Sequence, residues 1–576
     1  MQLSPRRAIP VAFTGSREAE GPLTVGQISF LGWLNPKPHE IFAVLGAELD
    51  VPDGVSVDDV AETVAVLVSR HETLRTSYDT GPRPRQRVAA SGELPLDVCA
   101  LGEGSWGPRD RPAVAEALLR WLRTQQPPYT TPAPVRVAVA TGSGDDERVI
   151  ACAAVFSHMA VDFAAIEIIR GEFAEMIRDP AARRVGQPRH QPLDQAALEA
   201  TPDGRRQAEA ALRYLHGQSM RLSRCLYAVP DARETAESVA VELLSVAAAM
   251  AVRQVAARTR ASRSSVVLAA ICAVLACRTG CRELVVPLMA SNRFEPHLTD
   301  YVGPLAQLGL ATVEVGRHSF DAVVAGTWRS VLEASRHARY DPGERAAMNE
   351  RIEHRRGLRI EHDALFNSLV AESWSGVDAG AGCDPERVSA ALRHTELRWR
   401  PVPPHGTPIR FSLNQIDSHL HLDLWSADTG LAPRAELESL LRAIERLLVA
   451  ATDTDLDAEQ IRHAIGLDPI ARGPDWVLVD SCWVDLTEVQ RLLDEALAPA
   501  VARIFATADG APLVAYLTAT DAIRTPDQAH ARCMAALANH PTALTPRHYV
   551  ICETAPPRPA DRAAWRTIRT AGSGRA

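Results

Sequence analysis

The chain has 576 residues, is 46% hydrophobic and 23% charged, and carries a formal net charge of −9 with a pI near 6.1. That is enough length for several folding units with large cores. The acidic balance gives no basic stripe for nucleic acid, and no window of 18 uncharged apolar residues suggests a membrane span.

Further exclusions follow from single residue types. Lys37 is the only lysine, so arginine carries almost all the positive charge. The ten cysteines are scattered. Cys277 and Cys281 have no second Cys/His pair to complete a zinc set, while Cys152 and Cys272 read as small buried hydrophobes. A reduced, cytoplasmic protein without a resident metal is expected. The N-terminal stretch has two arginines but no sustained apolar run for a signal peptide.

In chain order, 24–34 (TVGQISFLGWL) has helical apolar spacing and 41–50 (IFAVLGAELD) reads as a strand. Residues 57–74 form an amphipathic helix with Val60, Val64, Val66, Leu67 and Leu74 on one face. PVRVAVATG and RVIACAAVF, separated by SGDDE, predict a hairpin. A helix at 161–177 follows. Residues 190–206 are polar and Pro/Gly-punctuated, a crossover between lobes. Residues 264–280 predict a buried Ala-rich helix capped by Ser264 and stopped by Gly280. ELVVPLMAS then reads as a strand, 410–425 alternates as a strand, and 433–452 is a helix with proline at its start. After the acidic DTDLDAEQ, a small α/β module begins near Gly473, and its tail RTAGSGRA is expected to be disordered. Strands and helices mix without strict alternation, which predicts a mixed α/β (α+β) class.

FSHMAVDF (156–163) places His158 four residues before Asp162, between an apolar strand and an apolar helix. The spacing alone is cheap. The pattern occurs four times, at His158/Asp162, His190/Asp194, His337/Asp341 and His419/Asp423, where about one match is expected by chance. Only the first lies on a strand-to-helix turn held from both sides. A catalytic base and a core histidine bonded to a carbonyl both fit that placement.

Three further stretches carry a family resemblance. SRHETLRTSY (69–78) resembles the Arg-His-Glu-x-Leu-Arg-Thr-x-Phe signature of nonribosomal peptide synthetase condensation domains. LTVGQISFLGWL resembles the family's first helix, with Gln27 retained. ASNRFEPHLTDYVGPLAQL (290–308) resembles the stretch from an Asn/Gly-Arg pair to Val-Gly-x-Phe-Val-Asn-Thr. SHMAVDF falls where the family has His-His-x-x-x-Asp-Gly. The resemblance covers roughly 20–455.

It implies two chloramphenicol-acetyltransferase-like lobes in a V, 1–185 and 186–455, with a tunnel between them, then a 456–472 linker and a module at 473–576. It also implies a freestanding enzyme joining a carrier-bound acyl or aminoacyl thioester to an amine or hydroxyl. His158 would be the base, since a neutral imidazole can accept the proton of the attacking group. Asp162 would orient the loop through an arginine, Arg293 first and Arg75 second. Gln27 and Gln307 would line the channel. Two departures stand out. Ser157 replaces the first motif histidine, and Phe163 replaces the glycine, where a phenyl ring would narrow the acceptor side. Leu305-Ala306-Gln307-Leu308 also replace Phe-Val-Asn-Thr. A noncatalytic recruiting platform and a coenzyme A-dependent acyltransferase remain the alternatives. The 473–576 module resembles the small C-terminal subdomain of adenylate-forming enzymes, but its catalytic lysine is missing. No Gly-Gly-x-Ser phosphopantetheine attachment site is evident, so the cofactor is expected in trans on a carrier protein.

Overall fold

The computed structural model describes residues 3–34, 43–102, 106–125, 134–142, 148–184, 186, 189–224, 237–360, 364–370, 385–402, 408–430, 432–506 and 512–575. Lys37 and the start of the 41–50 segment lie outside them. Two compact units emerge. One comprises 1–210 with 290–307 and 339–342, and the other holds the remainder.

The first unit is built on a five-stranded mixed sheet. Its strands are β1 (Leu3–Thr14), β2 (Val44–Leu49), β3 (Ser91–Leu101), β4 (Val135–Thr141) and β5 (Val149–Ser157), in spatial order β1-β3-β4-β5-β2. The expected hairpin is β4–β5, paired antiparallel from Val135 opposite Phe156. Nearly every residue of both strands is buried, so they read as continuous apolar runs. Helices cover the sheet. The 24–34 expectation is α1 (Val25–Leu34). α2 (Val57–Arg70) starts at a capping box in which Ser56 accepts from the Asp59 N–H. It ends at Arg70, four residues short of the expected end, because 72–75 tighten into a 3₁₀ turn. α3 (Arg111–Thr124) and α4 (Phe163–Arg178) pack on opposite faces of β4 and β5: Leu118 shares a cluster with Ala138 and Val155, Ile169 one with Val139 and Phe156. The 190–206 crossover is helical rather than irregular. Pro192 and Pro202 each sit at a first helical position, opening α5 (Pro192–Glu199) and α6 (Pro202–Ser219).

The second unit has a seven-stranded sheet. Its strands are β6 (Val239–Ser245), β7 (Glu283–Ala290), β8 (Gln307–Glu314), β9 (Ala364–Ser368), β10 (Glu396–Pro401), β11 (Ile409–Gln415) and β12 (Leu420–Ser426), in order β8-β7-β9-β11-β12-β6-β10. The 410–425 stretch, expected as one strand, is the β11–β12 hairpin. Between Gln415 and Leu420 the chain turns back on itself. α7 (Val246–Thr259) and α8 (Arg263–Thr279) follow β6. The cap of α8 is Ser262, not Ser264, its hydroxyl accepting from Ser265 N–H, and Gly280 ends the helix in the left-handed region. Among the described residues no single helix is long and apolar enough to cross a membrane.

The last hundred residues have their own core around Val489, Leu493, Leu517 and Ile551. Residues 569–575 of the RTAGSGRA tail are structured, contrary to expectation. Residues Ile568–Gly572 add an antiparallel strand beside His548–Cys552. The Arg575 guanidinium donates to the carbonyls of Arg355, Arg356, Thr545 and Pro546, which fixes the tail.

Candidate functional site

β5 ends at Ser157, which pairs with Val44. The Ser157 N–H donates to Pro134 O at 2.7 Å and the His158 N–H to Ala43 O at 2.9 Å. The chain then reverses, with the N–H groups of Ala160 and Val161 both returning to Ser157 O. Met159, Ala160 and Val161 are fully buried anchors. The turn is therefore rigid, and His158 stands partly exposed on it.

The His158 ring stacks on Phe30 of α1 at a centroid distance of 3.9 Å, with the edge of Trp33 at 6.3 Å. Its Nδ1 lies 2.9 Å from Val161 O. A carbonyl only accepts, so Nδ1 carries the hydrogen and Nε2 presents a lone pair. Burial lowers the imidazole pKa below the ordinary histidine value, against a smaller opposing pull from Asp162. The neutral form is favoured. The expected carbonyl bond is present, and it leaves the ring's lone pair on Nε2.

Asp162 is 2% exposed and caps α4 through the Ala165 N–H. Arg293 meets it as a two-pronged fork at 2.8 and 2.9 Å. The backbone N–H groups of Leu305 and Ala306 add bonds of 2.9 and 3.1 Å to Oδ2. Burial alone would raise this carboxyl's pKa, but Arg293 and the N–H donors hold it below the usual carboxylate range. A carboxylate with five donors is a fastener, not a proton acceptor. It ties the His158 turn to the 290–307 segment. The replacements at 305 and 306 are harmless to this joint because it uses backbone N–H groups. Asn292, just before Arg293, sits at φ 56°, a left-handed position that asparagine and glycine tolerate. Its side chain donates to Leu305 O at 2.8 Å.

Arg75 is not Asp162's partner. Fully buried, it donates to Ala89 O and Arg17 O and lies beside Glu72. The surrounding motif is structural. Arg70 and His71 both bond Glu172 of α4, at 2.6 and 3.0 Å, and Arg189 joins them. Burial opposes ionisation of Glu172, yet these donors push its pKa down to about 2. Thr73, which the sequence pattern does not single out, donates to Ala160 O at 2.7 Å and so braces the His158 turn from below.

Gln27 and Gln307 do not line a channel. Gln27 is 0% exposed. Its Oε1 accepts from Thr24 N–H and its Nε2 donates to Gln86. Gln307 is equally buried and embraces the Tyr340 backbone, donating to its O and accepting from its N–H. Gly26, next to Gln27, is required by close approach, since a Cβ there would overlap the Pro304 carbonyl. Ser157 fits its site, its buried hydroxyl accepting from the Met159 N–H at 3.3 Å. Phe163 is the first residue of α4 and adopts no left-handed φ. The backbone does not demand glycine there, and the phenyl is 39% exposed.

The sequence matches the Condensation domain family over residues 18–355, more than half of the chain. It belongs to the condensation-domain family. Solved structures share the fold at low identity. A condensation domain that mediates chain release from the enacyloxin polyketide synthase has a TM-score of 0.57 at 20% identity, covering 78% of this chain and 85% of that one. SgcC5 from Streptomyces globisporus, solved with (R)-(−)-1-(2-naphthyl)-1,2-ethanediol and sucrose, has a TM-score of 0.56 at 17% identity, covering 75% and 100%. The X-domain from teicoplanin biosynthesis has a TM-score of 0.54 at 18% identity, covering 78% and 98%. A search of curated proteins finds no sequence match. The fold is thus the mixed α/β, two-lobe, chloramphenicol-acetyltransferase-like fold of condensation domains, a family of generally acyltransferase-type enzymes.

Proposed function

We propose that this condensation domain joins an acyl or aminoacyl thioester, presented on a carrier protein's phosphopantetheine arm, to an amine or hydroxyl acceptor. The carrying observation is His158. Its Nδ1–H is spent on Val161 O, and its turn is fastened through Asp162 to Arg293 and to two backbone N–H groups. In the proposed step the acceptor N–H or O–H gives its proton to Nε2 while the acceptor atom bonds the thioester carbon. The C–S bond then breaks, and the thiolate leaves with the proton from His158. Base catalysis of this type contributes about 10²–10⁴-fold, and holding both substrates together supplies more. Asp162 takes no proton. The 473–576 module, without lysine, takes no part in adenylation.

A recruiting platform is the second proposal. It is favoured by exposed aromatics next to the site in sequence, Trp33, Phe163 and Phe294 at 51%, 39% and 59%. The two separate in one experiment. Acyl-loaded carrier is mixed with amine and alcohol acceptors, and the carrier is followed by mass spectrometry. Off-loading by wild type that His158→Ala abolishes supports catalysis. Equal, slow off-loading by both supports the platform.

A further inference from the structure

The second unit holds a polar cluster that acyl transfer does not use. β6 and β12 are antiparallel neighbours, and their register sets Glu242 directly opposite Asp423. Like charges in that arrangement repel. Arg400, on β10, donates Nε to Glu242 Oε1 at 2.6 Å and Nη2 to Asp423 Oδ2 at 2.8 Å. Trp425 Nε1 also reaches Asp423 Oδ2, at 3.4 Å. One guanidinium thus engages one oxygen of each carboxylate and leaves the other oxygen of each.

Those remaining oxygens gather around His421. Its Nε2 is 2.9 Å from Asp423 Oδ1 and 3.9 Å from Glu242 Oε2. One donor atom from each of the three residues lies within 4.8 Å of the others. Asp423 is only 3% exposed. Its Oδ1 and His421 Nε2 meet as an ion pair, and the Asn414 side chain also hydrogen-bonds this carboxylate. The two paired atoms are close but not well aligned for N–H···O bonding. Bonds of about 2.0–2.2 Å place tetrahedral donors roughly 3.4 Å apart, so Asp423 Oδ1 is within ligand reach of the imidazole and Glu242 Oε2, at 3.9 Å, reaches it with a small side-chain shift.

We propose that Glu242, His421 and Asp423 bind one divalent first-row transition cation, with Zn²⁺ favoured over Mn²⁺. One imidazole with two carboxylates is a mixed N/O set that suits zinc. Arg400 is the outer group that orients both carboxylates, as partners beyond the ligands do in metal sites. The ion would pin β6 to β12 and relieve the facing carboxylates.

The test uses the full chain stripped with chelator and titrated with Zn²⁺ by calorimetry and with Co²⁺ by visible absorption. One equivalent should bind, the Co²⁺ complex should show ligand-field bands, and Zn²⁺ should raise the melting temperature. His421→Ala and Glu242→Gln should each weaken Zn²⁺ binding by at least tenfold, while a Cys277→Ser/Cys281→Ser double variant should bind like wild type. Both tested side chains are partly exposed, so the variants should fold even if Asp423→Asn does not. No saturable binding, binding unchanged in His421→Ala, or binding lost in the cysteine variant would each overturn the site.

Discussion

Asp162 and Asp423 are both buried, and both stand four residues after a histidine, yet they live in different states. Asp162 collects five donors from three chain segments. Asp423 has Arg400 and Trp425 on one oxygen and the His421 imidazole 2.9 Å from the other, with Asn414 also bonded to the carboxylate. Its neighbouring imidazole is His421, not the His419 of the motif, which faces Ser418 instead. The other two matches are equally local: Asp194 closes the capping box of α5, and His337 bonds the Glu333 carbonyl. A spacing in sequence therefore fixes no chemistry. What decides is which donors the fold delivers to the carboxylate.

Truncation separates the two aspartates most strongly. Asp162→Ala leaves the Arg293 charge buried beside orphaned N–H groups, and should cost about 3–5 kcal/mol. Asp423→Ala strands the partly exposed Arg400 and His421 and the Trp425 indole, and should cost about 1–2 kcal/mol. Urea unfolding of both variants reads the difference, and equal losses would dissolve the contrast.

Glu172 is an intermediate case, a buried carboxylate bonded by side chains alone. Glu172→Gln should cost about 2 kcal/mol. Its folded pKa, about 2, lies below the ordinary value of 4.5, so its stabilisation is complete above the ordinary value and is lost as pH falls towards 2. The wild-type curve of stability against pH should therefore steepen below pH 4.5, and the Gln variant should lack that component.

Smaller effects test the turn itself. Thr73→Val removes the hydroxyl bond to Ala160 O and keeps the shape. About 1 kcal/mol should be lost, with a fall in turnover if the brace positions His158. Phe163→Gly should cost about 0.5–1 kcal/mol at the start of α4. Turnover that rises for bulky acceptors would show that the phenyl gates them, and unchanged selectivity would place it outside the acceptor path.

Much of this was legible beforehand. Apolar period and turn residues located β4, β5, α1, α2 and α4, because burial patterns are local. The pairing of Asp162 with Arg293 came through the resemblance of the 290–308 stretch, not from spacing. The two backbone donors at Leu305 and Ala306 were invisible because every residue carries an N–H. Gln27 and Gln307 misled because a polar side chain in a family motif resembles a ligand contact, whereas here both complete backbone hydrogen bonding in the core. The tail misled because small polar residues form an edge strand only when a partner such as His548–Cys552 is available.

The central claim is that His158 is the base of an acyl transfer, and single-turnover transfer from acyl-loaded carrier to an amine, followed across pH, tests it most directly. Burial lowers the His158 pKa, so wild-type rate should hold to below pH 6.5 before falling, and His158→Ala should be slower by about 10²–10⁴-fold with that acidic limb gone. Equal rates and the same pH profile in the two proteins would contradict the account.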